Sequence, residues 1–353
     1  MSTISLPFNS KIKYNHTPMI ADLLGIIFET NPVSSRAWLY NLSYSMCLST
    51  NYYASGKDPK LCWLLPGQPF RICPLIDYFV FPHDFVKSKY PTFSSFVNEM
   101  LDSSYYVLVD LDSYYLRGSE YHFSHDCLIN GYGDKDIFLC NDYFGSHYKT
   151  MEINAEVLNN SFDGMIKYSL NDYIGGIVCI KPVENYIHKF DTTKLRYALE
   201  DYINGELSKD YSTNEIYQFE RVYSIDYKTK VVYGVNCYDA VCKYFEMCLQ
   251  EQIPVAHMVP SMILQRNDLI YDGLVFLIND LGIDSLNTLL SIAANIVEEA
   301  EILLSMIIKQ NTNKYLGKNS EEKTYLKFIS YINNIKKYDI ELTSKYIDLL
   351  KHI

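Results

Sequence analysis

The chain lacks a basic surplus. Its 31 Lys and Arg face 42 Asp and Glu, a formal net charge of -11 at pH 7. That argues against a nucleic-acid binder working through a broad basic surface, and leaves cationic small molecules or amines as partners. Long apolar runs are also missing. The best stretch, Leu286 to Ile308, is interrupted by Asn287, Asn295, Glu298, Glu299 and Glu301. It falls short of the roughly 18 uninterrupted apolar residues of a spanning helix, so no membrane partner is expected. Met1 to Pro18 has no basic start followed by an apolar core, so no signal peptide is read there and the expected location is cytoplasmic. No paired CxxC sets occur, so no zinc site is expected. No repeat of about 20–50 residues is visible, which argues against a solenoid. Tryptophan is scarce, 2 residues against 33 tyrosines.

What is present is the composition of a folded chain: 353 residues, 48% hydrophobic and 21% charged. A mostly disordered chain would be poorer in apolar residues. At roughly 100–200 residues per domain the length suggests two domains. Nine cysteines are scattered along it: Cys47, Cys62, Cys73, Cys127, Cys140, Cys179, Cys237, Cys242 and Cys248. In a reducing compartment most should be buried thiols.

Two regimes divide the chain. Residues 1–185 mix short helices with apolar strand runs and turn signals; residues 236–353 are helical by periodicity, and 186–235 connect them. Strands are expected at Tyr105–Asp110, Cys127–Asn130, Ile137–Asn141 and Ile174–Ile180. Gly131–Tyr132–Gly133–Asp134 is a tight connection that makes the middle two an antiparallel hairpin. Thr17–Pro18 opens a first helix, with Thr as N-cap and Pro in the first turn. A second helical piece starts near Ser35. Further helices are expected at 192–204, 237–252, 260–281, 286–308 and from 325 onward, the last four packing as a bundle. The fold class is therefore α+β, with antiparallel strands followed by an all-helical C-terminal domain.

The chemistry concentrates between Tyr105 and Phe144. His125 opens one strand and Asp142 closes the next, 17 residues on. Neighbouring strands can place the carboxylate against one imidazole nitrogen. That fixes the tautomer and leaves the other nitrogen as a base. The same residues also read as a half-buried strand histidine and a turn cap. Asp110, Asp112 and Asp126 read as solvated turn residues rather than a calcium loop. His122 and His125 could both ligate zinc, but no partner set accompanies them, so no metal is expected. Gly175–Gly176 marks a close backbone approach or bulge. Tyr105, Tyr106, Tyr114, Tyr115, Tyr121 and Tyr132 crowd this segment, either lining a pocket or serving β propensity.

This segment resembles the N-terminal domain of butirosin biosynthesis protein H and its relatives. The resemblance rests on Val109–Asp110, Tyr114–Tyr115–Leu116, His125, Gly131–Tyr132 and Asp142, followed by an all-helical region. That family is similar to papain-like, peptidase C39-like cysteine proteases adapted to acyl transfer. The resemblance implies a papain-like fold and a ping-pong transfer of an acyl or peptidyl group from a carrier-protein thioester to an amine in antibiotic biosynthesis. It implies His125 as general base, Asp142 as its orienter, a carrier protein and a small amine as partners, and no cofactor beyond the carrier's phosphopantetheine arm. Tyr143 stands where many relatives have Pro.

The nucleophile departs from the pattern. The family opens its first helix with a Cys, often after His; here His16 and Ala21 match, but Thr17 holds the Cys position. A Thr hydroxyl needs an adjacent activating base, and the N-cap role explains it without catalysis. Cys47 is the replacement candidate. Asn41, six residues before it, lies where papain-like enzymes place an amide oxyanion donor. Cys47 also reads as apolar filler, as do Cys62 and Cys73. A carrier thioester is already activated, so positioning plus a base can suffice without a protein nucleophile. Hydrolysis by a peptidase or thioesterase, and a binding protein that lost its nucleophile, are the alternatives. Lys309, Lys314, Lys318, Lys323, Lys327, Lys336 and Lys337 form either a docking face for an acidic carrier or a solvated helix surface.

Overall fold

The computed structural model describes residues 3–15, 17–42, 46–49, 61–62, 69–133, 136–144, 147–206, 231–317 and 322–353. In chain order the strands are β1 (Ile4–Ser5), β2 (Cys47–Ser49), β3 (Leu61–Cys62), β4 (Ile76–Phe81), β5 (Tyr106–Asp112), β6 (Ser124–Gly133), β7 (Ile137–Phe144), β8 (His147–Asn154), β9 (Ile177–Pro182) and β10 (Val231–Tyr233). The helices are α1 (Pro18–Thr30), α2 (Pro32–Leu42), α3 (His83–Lys89), α4 (Phe93–Asp102), α5 (Ser113–Arg117), α6 (Ala155–Lys167), α7 (Thr192–Asn204), α8 (Asn236–Gln250), α9 (Met258–Asn279), α10 (Asn287–Tyr315) and α11 (Glu322–Leu350).

The chain forms two compact units, Met1–Ser35 with Gln68–His188, and Arg36–Gly67 with Lys189–Ile353. Residues 36–67, read from the sequence as part of the first domain, group instead with the helices. Within that second unit, β10 pairs antiparallel with β2, and the Asn41 amide exchanges hydrogen bonds with the backbone of Asp191.

The first unit is built on a seven-stranded sheet of order β4-β9-β5-β6-β7-β8, with β1 on β6. Every pairing is antiparallel. All seven residues of β5 (YVLVDLD) are buried, as befits a central strand covered on both faces. Val107, Val109 and Leu111 join Cys127, Ile129, Phe96 and Phe162 in one core. Phe93 of α4 stacks on Phe162 of α6 at 4.2 Å. Each such side chain contributes about 1.5–3 kcal/mol on burial. α1 is buried almost all round through Ile20, Leu23, Leu24, Ile26 and Ile27, which marks a core helix rather than a surface one. Its Gly25 is dictated by close approach, since a Cβ there would collide with the ring of Phe8.

The expected strands exist with shifted bounds: β5, β6 and β7 run longer, β9 starts at Ile177 rather than Ile174, and Gly131, Tyr132 and Gly133, expected in the connection, are paired residues of β6. β6 begins at Ser124 rather than Cys127, and β7 ends at Phe144 rather than Asn141. The added residues are mostly polar, so they broke the apolar run that signals a strand. The second unit holds the expected long helices, with α9, α10 and α11 packed in succession and α7 and α8 against α11. Beside them lies a three-stranded sheet of order β10-β2-β3. No helix among the described residues is long and apolar enough to cross a membrane.

Candidate functional site

The antiparallel register of β6 and β7 brings His125 and Asp142 together. His125 Nδ1 lies 3.2 Å from Asp142 Oδ1. It also lies 3.2 Å from the carbonyl oxygen of Asp126 and 3.6 Å from Asp126 Oδ1. All three contacts use Nδ1. Nε2 makes no hydrogen bond among the described residues, and the side chain is 26% exposed.

Asp142 is wholly buried and held on both oxygens. Oδ1 accepts the Tyr143 N–H at 2.5 Å. Oδ2 accepts from Arg117 Nε at 2.9 Å and also from Arg117 Nη2. Arg117 closes α5, the single-turn helix that ends at Gly118 in the left-handed region, φ 69°. That conformation suits glycine, and it returns the chain toward β6. The sequence reading did not find Arg117. The signal available was a short tract ending Arg-Gly before the histidine strand.

Opposing influences act on the His125 imidazole. Burial pulls its pKa down; the hydrogen bond and charge of Asp142, then the charge of Asp126, pull it up, and Arg117 pulls it down. The net effect is a pKa above the ordinary histidine value. The imidazolium is therefore favoured beside the carboxylates.

Around this pair the carboxyls are crowded. Asp22 of α1 is buried and accepts the Tyr148 hydroxyl on Oδ1, while its Oδ2 has no hydrogen-bond partner among the described residues. Burial, then Asp126, raise its pKa well above the usual carboxylate range. Burial likewise raises Asp126 and Asp110. Asp110 and Asp112, expected as solvated turn residues, are fully buried. They belong to the polar end of a central strand longer than its apolar run. Asp110 Oδ2 accepts the Ile174 N–H at 2.9 Å. Asp112 Oδ1 caps α5 by accepting the Tyr114 N–H at 3.0 Å.

Asp112 Oδ2 meets His122 Nδ1 at 2.7 Å. This second His–Asp pair was not anticipated; His122 had been read only against zinc. Its ring stacks on Tyr168 at 3.7 Å and lies 4.3 Å from Tyr114. The pair fastens the loop after α5, the helix that delivers Arg117. Among the described residues no group of three or more His, Cys, Asp or Glu is placed to hold a metal ion. The tyrosines divide by role. Tyr106 and Tyr132 are core residues, and Tyr114 and Tyr121 are exposed.

Thr17 sits at the N-cap of α1 with extended backbone, and its side chain makes no capping hydrogen bond. The expected cap is thus a backbone one, with Thr17 O accepting the Ala21 N–H at 3.1 Å. The segment before it is anchored by Tyr143, whose hydroxyl donates to Asn15 O. His16 lies outside the described residues.

Cys47 belongs to the second unit. It is buried on β2, opposite Cys62 of β3 in register; the Cys62 side chain and Ser43–Ser45 lie outside the described residues. Asn41, read as an oxyanion donor, does other work. Its Nδ2 donates to Asp191 O at 2.8 Å and its Oδ1 accepts the Asp191 N–H at 3.1 Å. The amide is committed to the start of α7. In the first unit, Cys73, Cys127, Cys140 and Cys179 are buried thiols. Burial pushes Cys73 and Cys179 up to about 12, and a hydrogen bond to Cys140, with burial, raises Cys127. Cys73, Cys127 and Cys179 therefore carry no thiolate character near neutrality.

On the helices, Lys309, Lys323, Lys327 and Lys337 are exposed. Lys336 pairs with Asp239 at 2.7 Å, Lys314 donates to Gln252 O, and Lys318 lies outside the described residues.

Comparison with models of known protein families returns no match, and comparison with curated proteins returns none either.

Proposed function

We propose that the first unit catalyses acyl transfer from a carrier-bound thioester to an amine, with His125 as general base. The carrying observation is the 3.2 Å contact between His125 Nδ1 and Asp142 Oδ1, made on the one ring nitrogen and leaving Nε2 uncommitted among the described residues. The sequence resemblance to papain-like acyltransferases supports the same reading. The four buried thiols of the unit favour a path without a protein thiol.

The amine nitrogen attacks the thioester carbonyl carbon and loses a proton to His125 Nε2. The carbon–sulfur bond breaks, and the leaving thiolate takes that proton back from the imidazolium. Amide and free carrier thiol are the products, and the base is regenerated. Asp142 stabilises the imidazolium between the two transfers. Docking of an acidic carrier on the exposed lysines of α10 and α11 belongs to the same proposal, and charge reversal at those lysines that left transfer unchanged would remove it.

The test is a reaction of the full chain with an acyl-pantetheine thioester, with and without a primary amine, followed by product analysis and intact-protein mass. The proposal expects amide, no acyl-protein adduct, and loss of amide formation in His125→Ala. An adduct abolished by Cys47→Ala or Thr17→Val would replace it with covalent catalysis. Free acid in the presence of amine would make the protein a hydrolase. No turnover with intact binding would make it a binding protein.

A further inference from the structure

The helical unit buries an arginine completely. Arg266 of α9 and Asp339 of α11 both have fully buried side chains. Arg266 Nη1 donates to Asp339 Oδ2 at 2.8 Å and to Asn267 Oδ1 at 3.2 Å. The same Asp339 oxygen accepts the hydroxyls of Tyr202 of α7 at 2.5 Å and Tyr238 of α8 at 2.7 Å. The Tyr202 ring lies 4.2 Å from the guanidinium carbon. Four helices thus converge on one charged pair, and Nη1 is fully used.

The other edge of the guanidinium is not used. Among the described residues Nε and Nη2 are buried with no hydrogen-bond partner, and so is Asn267 Nδ2. An arginine facing a carboxylate ordinarily engages it with two parallel N–H groups. Here Asp339 takes a single nitrogen, and the fork turns elsewhere. The three unmatched groups are all donors, so an acceptor complements them. Two parallel N–H groups fit two oxygens of one carboxylate or phosphate, and a charged acceptor gains most where the dielectric is low.

The geometry points to a binding site for a small oxyanion, a carboxylate or phosphate group held by Nε and Nη2 of Arg266 with Asn267 Nδ2 as third donor. Tyr202 fixes the plane of the guanidinium. Asp339, with its two phenol donors, fixes the cation's position while those donors disperse its own charge. The site is independent of the chemistry of the first unit.

The full chain is titrated with sodium acetate and, separately, with inorganic phosphate, at ionic strength held by sodium chloride. The readouts are the thermal unfolding midpoint and the heat of binding. The site predicts a saturating response to acetate or phosphate and none to chloride. Acetate alone identifies a carboxylate ligand, and phosphate alone a phosphate. Arg266→Lys, which keeps a cation for Asp339 but lacks the fork, loses the response; Asn267→Leu weakens apparent affinity about tenfold. A non-saturating rise, or a saturating one that Arg266→Lys retains, overturns the site. Should Arg266→Lys fail to fold, unchanged affinity in Asn267→Leu overturns it.

Discussion

His125–Asp142 in the first unit and Arg266–Asp339 in the second are both cation–carboxylate contacts, at 3.2 and 2.8 Å. They differ in what surrounds the cation. His125 is 26% exposed, whereas the Arg266 side chain is fully buried. His125 spends one nitrogen on its carboxylate, and the other makes no hydrogen bond among the described residues. Arg266 is locked by an aromatic face and by phenols from two further helices. The first arrangement lets a proton come and go. The second fixes a permanent charge where neither ion can be rehydrated cheaply.

The largest effect should come from breaking the sealed pair. Asp339→Ala leaves the Arg266 charge buried and uncompensated, and should cost about 3–5 kcal/mol in urea unfolding. A loss below about 1 kcal/mol would show that water reaches Arg266. Asp142→Ala should cost less, because Arg117 and His125 are partly exposed.

Next comes His125→Ala, which should lower amide formation about 10²–10⁴-fold with little change in the unfolding midpoint. Arg117→Met is subtler. Arg117 lowers the His125 pKa, so its removal should raise that pKa and move the acid limb of the pH–rate profile upward. An unmoved limb would separate Arg117 from the dyad. Because the folded His125 pKa is raised, its stabilisation is complete below the unfolded value of about 6.5. It fades as pH rises through the folded value, and His125→Ala should flatten that slope.

The smallest expected effect is at Asp22. Its raised carboxyl stabilises the fold below the unfolded value of about 3.9, and that contribution is lost as pH climbs through the folded pKa. Asp22→Asn keeps an acceptor for Tyr148 and removes the buried charge. It should stabilise the protein by about 1 kcal/mol at pH 8, with the gain shrinking toward pH 4. A gain independent of pH would place the effect in packing instead.

These pairs were unequally legible in the sequence. His125 and Asp142 could be read because hairpin pairing is local and the connection between β6 and β7 is short. Arg117, His122 and the burial of Asp110 and Asp112 were not. They depend on a one-turn helix inserted between two strands, and on β5 and β6 continuing through polar residues where alternation is silent. The helices of the second unit followed from their 3–4 periodicity. The Arg266–Asp339 contact did not, because it joins positions 73 residues apart on helices whose sequence pattern shows only that one stripe is buried. Asn41 and Cys47 were misplaced for a related reason: proximity along the chain to the first helix carried them into the first domain, while the hydrogen bonds of Asn41 to Asp191 and the pairing of Cys47 with Tyr233 carry them into the second.

The most direct test of the account is the protonation state of His125, read by ¹⁵N NMR on the full chain across neutral pH. The account predicts that the neutral ring carries its proton on Nδ1, donated to Asp142, with Nε2 unprotonated and a titration midpoint above that of free imidazole. Asp142→Asn should lower that midpoint. A neutral ring protonated on Nε2, or a midpoint unaffected by Asp142→Asn, would contradict the assignment of His125 as an Asp142-oriented base.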